Sequence, residues 1–116
     1  MITGMHAIVF SPEAEKVRAF FADALGMPSV DAGGGWLIFA LPPAELAVHP
    51  ADGKTHYELY FMCDNIQATL AELRARGAEI ARDVSDQGWG LLAAIRLPDG
   101  SEFPIYEPRH PSPLRA

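Results

Sequence analysis

The feature that most constrains this chain is that its pattern runs twice. Residues 5–10, Met-His-Ala-Ile-Val-Phe, are apolar and partly β-branched and predict a strand. Ser11-Pro12-Glu13 then reads as a helix start. Ser11 can accept from free backbone N–H groups, Pro12 loses no hydrogen bond in the first turn, and Glu13 and Glu15 suit the positive end of the helix dipole. Val17, Phe20, Phe21 and Leu25 share one helical face, Gly26 can end the helix, and Pro28 prevents its continuation. Three strands are expected next, at 28–32, 36–41 and 45–49, divided by Gly33-Gly34-Gly35 and Pro42-Pro43. No helix start follows the glycine run, so it does not read as a phosphate loop.

The pattern then restarts. Residues 57–63 predict a strand, and Asp64 with Gln67 three positions on resembles a capping box. Ile66, Leu70 and Leu73 share a helical face, and Gly77 closes the helix. Strands are expected at 78–84, 90–97 and 102–106, with Pro98-Asp99-Gly100 as the last turn. Each half is therefore strand, helix and three strands, an α+β chain of two βαβββ modules. They span about residues 5–53 and 56–108 of a single domain at 1–110, with a Pro-rich tail at 109–116. His6 precedes Gly26 by 20 positions and Glu58 precedes Gly77 by 19, so the two occupy equivalent places on the first strand of each half.

Charge narrows the partners. The net charge is −6, which gives no basic face to neutralise phosphates, so neither nucleic acid nor an anionic membrane is an expected partner. No apolar run approaches the roughly 20 residues needed to span a bilayer. The N-terminus lacks the pattern of a signal peptide. Cys63 stands alone among apolar neighbours and reads as an inert thiol. A cytoplasmic protein is expected.

Three segments resemble the vicinal-oxygen-chelate superfamily of glyoxalases, bleomycin-resistance proteins and extradiol dioxygenases. The first is His6 leading through a helix to Leu25-Gly26-Met27. The second runs from Leu59-Tyr60-Phe61-Met62-Cys63-Asp64-Asn65-Ile66 into Leu73-Arg74-Ala75-Arg76-Gly77-Ala78. The third is Trp89-Gly90 followed by Leu97-Pro98-Asp99-Gly100 and Ile105-Tyr106-Glu107-Pro108. The resemblance implies that the two modules curl into a cup, that metal-dependent relatives hold a divalent ion there with His and Glu, and that the protein is a homodimer.

Carried over residue by residue, the family's first His ligand falls on His6 and its second on Glu58. The Glu usually found four residues after the Pro-Asp-Gly glycine is replaced by Pro104, which cannot ligate. Glu45 or His49 could supply the ligand late in the first half. Strand parity sets Pro104 and Tyr106 on one face and Phe103, Ile105 and Glu107 on the other, so Glu107 is not a replacement if position 104 faces the cup. Tyr60 and Tyr106 have the parity to line the cup. Trp36 and Trp89 read as packing residues, and His110 is assigned no role.

The leading expectation is a small-molecule-binding protein of the glyoxalase/bleomycin-resistance type with a degraded or absent metal site. Its ligand-binding candidates are His6, His49, Glu58, Tyr60 and Tyr106, and the catalytic candidates, should a reaction occur, are His6 and Glu58. A metal-dependent lyase, isomerase or extradiol dioxygenase using His6, Glu58 and His49 or Glu45 is the first alternative. A pseudoenzyme acting as a protein-interaction module is the second.

Overall fold

A computed structural model of the protein describes residues 6–45, 47, 49–50, 52–54 and 56–111. In chain order the elements are α1 (Ala14–Asp23), β1 (Ser29–Asp31), β2 (Leu37–Phe39), β3 (Phe61–Met62), α2 (Ile66–Ala75), β4 (Glu79–Asp86), β5 (Gly90–Arg96) and β6 (Glu102–Pro108). The second half forms a four-stranded sheet in the order β3-β6-β5-β4. β3 runs parallel to β6, and β6, β5 and β4 pair antiparallel. This order follows from the sequence: α2 carries the chain over from β3 to β4 at the far edge, and two antiparallel returns bring β6 beside β3. The first half contributes α1 and a separate β1–β2 hairpin. The architecture is mixed α+β with an open, unclosed sheet. Among the described residues no helix is long and apolar enough to cross a membrane.

Both helices lie where their periodicity predicts. Val17 of α1 and Ile66, Leu70 and Leu73 of α2 are buried in one cluster with Ala93, Ile95, Leu97, Phe103 and Ile105. Phe20, Phe21 and Leu25 pack against it. Phe21 ties the halves together, with its ring 5.8 Å from Phe39, 6.3 Å from Phe61 and 6.4 Å from Phe103. Gly26 takes a left-handed φ of 67° after α1, and Met27 N–H reaches back to the Phe21 carbonyl.

Several elements depart from expectation. Residues 6–10 form no strand: they are exposed, and among the described residues no strand pairs with them. Met5 lies outside the described residues, as do residues 46 and 48 of the expected strand at 45–49; Glu45, Ala47 and His49 are not in a strand. The strand expected at 57–63 shortens to Phe61–Met62, because only this stretch finds β6 as a partner. A strand is defined by its neighbour, which apolar composition alone does not supply. The cap of α2 is Asn65 rather than Asp64: Asn65 has the extended backbone of a cap (φ −146°, ψ 100°), and its Oδ1 accepts from Ala68 N–H at 3.0 Å. At α1, Ser11 Oγ accepts from Glu13 N–H at 3.2 Å, while its own hydroxyl donates to Asp99 in the Pro98-Asp99-Gly100 turn. The hydroxyls of Ser101 and Ser11 hold the Asp99 carboxyl down at about 2. The glycine run wraps the Asp31 carboxylate, which accepts from Gly33 N–H at 2.7 Å and Gly35 N–H at 3.2 Å.

Candidate functional site

The two faces of β6 separate structure from site. Phe103 and Ile105 join the core beneath the helices. Glu107 follows them, and its Oε1 accepts from Ile66 N–H at 3.0 Å, at the first residue of α2. A carboxylate there meets the positive end of the helix dipole. Pro104 and Tyr106 point the other way, beside Ala94 and Leu92 of β5. The parity argument therefore holds: Glu107 serves the helix, and Tyr106 belongs to the face the helices leave open.

Tyr106 is the centre of that face. It is 7% exposed. Its ring meets Trp89 edge-on at 5.3 Å and Tyr60 at 5.8 Å. Trp89, expected only to pack, completes this cluster with 43% of its surface still exposed. The Tyr106 hydroxyl donates to Glu45 Oε1 at 3.0 Å and lies 3.1 Å from His110 Nε2. His110 Nε2 is also 3.5 Å from the same Glu45 oxygen. Burial, then the Glu45 hydrogen bond and charge, push the Tyr106 phenol up to about 12. Sequence reasoning missed His110, yet a signal was present. Positions 106, 108 and 110 share one parity, so an extended chain past Tyr106 returns His110 to the same face.

This geometry has a consequence in alkali. A folded-state value of about 12 against the ordinary 10 means that the folded protein holds the phenolic proton more tightly than the unfolded chain. The stabilisation is full below pH 10 and is lost as pH rises from 10 towards 12. A tyrosinate absorbance titration should show a late-ionising phenol that Tyr106→Phe removes. The variant should also lose less stability than the parent over that pH range.

Beside the cluster lies an open groove of about 370 Å³. It is lined by Ile8, Val9, residues 57–60, Leu97 and residues 101–104. Glu58, Tyr60 and Pro104 all line it. The Tyr60 hydroxyl donates to Glu58 Oε1 at 3.3 Å, and burial followed by the Glu58 charge raises the Tyr60 phenol above its ordinary value.

The remaining candidates are not drawn together. His6 is exposed, makes no hydrogen bond or ion pair among the described residues, and is not among the residues lining the groove. His49 is also exposed. Glu45 is held by Tyr106 and His110, and Tyr106 in turn packs against Glu58's partner Tyr60. Among the described residues, no three His, Cys, Asp or Glu side chains converge to hold a metal ion, and the position of the family's last carboxylate carries Pro104. These residues do not fit the metal that the fold family implies. Cys63, half-buried, has its thiol raised chiefly by burial, as befits an inert side chain.

Residues 5–105 match the Glyoxalase/Bleomycin resistance protein/Dioxygenase superfamily. The chain belongs to this superfamily. Solved structures agree on the fold. The antibiotic-binding protein TnmS3 from a Streptomyces species is 21% identical, with a TM-score of 0.62 over 93% of this chain and 99% of that one. A superfamily member from Sphaerobacter thermophilus is 20% identical, with a TM-score of 0.64 over 91% and 98%. Lactoylglutathione lyase from Agrobacterium tumefaciens is 15% identical, with a TM-score of 0.63 over 90% and 92%. No curated protein matches the chain. At these identities the neighbours of this glyoxalase-superfamily chain speak for its fold, and its own side chains must speak for its site.

Proposed function

We propose that this superfamily member binds a small molecule in the groove lined by residues 57–60 and 101–104, without the metal ion that its catalytic relatives use. The observation that carries the reading is Pro104. It lines the groove beside Glu58 and Tyr60, where the family pattern has a ligating carboxylate. The surviving polar groups are already engaged as hydrogen-bonding pairs, Tyr60 with Glu58 and Tyr106 with Glu45. What they flank is an aromatic and aliphatic wall, the usual lining of a ligand site. TnmS3 is described as an antibiotic-binding protein, which is in keeping with such a use of the fold. Titrating small aromatic compounds into isotope-labelled protein without added metal should move the backbone amide signals of residues 57–60 and 101–103. Ligands that bind only when a metal is added would contradict the reading.

We also propose that the protein is a cytoplasmic homodimer with the two modules in one domain. Phe10 is 88% exposed, Tyr57 89% and Trp36 70%, and among the described residues no strand pairs with the outer edge of Phe61–Met62. Exposed apolar side chains beside an open strand edge need covering, and a second copy of the chain supplies a matching surface. Light scattering at micromolar concentration should give twice the chain mass, and Phe10→Glu should shift it towards monomer. A parent protein that is only monomeric would count against the dimer.

A further inference from the structure

We infer that the groove selects for positive charge, so that its ligand is an apolar or aromatic skeleton bearing an ammonium group. This rests on the small-molecule reading above and adds the chemical class. Among the described residues that line the groove there is no Lys, Arg or His; the charged ones are Glu58 and Glu102.

These two carboxylates are not equivalent. Glu102 already has a cation, with Arg82 Nε donating to it at 2.6 Å. Glu58 has none among the described residues: its partner is the Tyr60 hydroxyl, which shares the carboxylate's charge without cancelling it. An anionic ligand would therefore meet an uncompensated negative charge, and an ammonium group would supply the missing counter-charge. Tyr57 and Tyr60 also line the groove, and the negative face of an aromatic ring attracts a cation. Ile8 and Leu59, both exposed, offer apolar surface to the rest of the molecule. The net charge of −6 draws cations towards the protein and repels anions.

Three benzyl probes separate this inference from the reading beneath it: benzyltrimethylammonium, benzyl alcohol and phenylmethanesulfonate. Each is titrated at low ionic strength while the amide signals of residues 57–60 and 101–103 are followed. The ammonium is expected to bind about tenfold or more tighter than the sulfonate, with benzyl alcohol between them. Glu58→Gln should weaken the ammonium about threefold or more and the alcohol by a smaller factor. Glu102→Gln should have the smaller effect, because it also releases Arg82. Both carboxylates are exposed, so the folded state of each variant can be checked by its melting transition. If all three probes bind equally, or Glu58→Gln leaves the ammonium untouched, the charge inference falls while the small-molecule reading stands. If none of the three moves the groove signals, both fall.

Discussion

Ile95→Ala should lower the unfolding free energy by about 3–4 kcal/mol, within the range of about 2–5 kcal/mol for truncating a buried aliphatic side chain. Ile95 lies on β5 with no exposed surface, within the cluster that joins both helices to the sheet. Its removal costs the transfer energy of the deleted carbons and leaves a cavity that a sheet pinned on both sides cannot close. A loss of that size is a large fraction of the roughly 5–15 kcal/mol that holds a small domain together. Urea unfolding measures it directly. A loss under about 1 kcal/mol would mean that the core is not centred on β5.

Gly90→Ala should cost about 2 kcal/mol, although it adds only a methyl group. Gly90 opens β5 opposite Pro108 of β6. A Cβ there would lie 2.8 Å from the Glu107 carbonyl oxygen and 3.0 Å from Tyr106 Cδ2. The first contact is with backbone, so β6 itself must shift. The second is with the ring at the centre of the open face. The substitution should therefore change the near-ultraviolet circular dichroism of the Tyr60–Trp89–Tyr106 cluster and weaken ligand binding, effects that Ile95→Ala produces only by unfolding the protein. An unchanged aromatic spectrum would show that Tyr106 does not rest on Gly90.

What was legible in the sequence was whatever local chemistry decides. The helix faces followed from spacing by three and four, and the helix ends from Gly26 and Gly77, because only those residues bear on those outcomes. The split of β6 into a core face and an open face followed from alternation alone, which put Glu107 on the side of α2. The illegible parts depended on partners far along the chain. Residues 6–10 and 57–60 have strand-like composition, but pairing requires a neighbour that composition does not reveal. Asp64 and Asn65 both suit a cap, and a register of one residue decided between them. His110 sat in a stretch that looked like a tail, although the shared parity of 106, 108 and 110 already pointed it towards Tyr106.

The binding groove is expected to work without a metal. Elemental analysis of protein purified with neither chelator nor added metal tests this most directly. Well below one zinc, nickel, iron or manganese ion per chain is the expected result, with His6→Ala making no difference to the metal content. One such ion per chain, lost in His6→Ala, would contradict it and restore His6 and Glu58 as ligands.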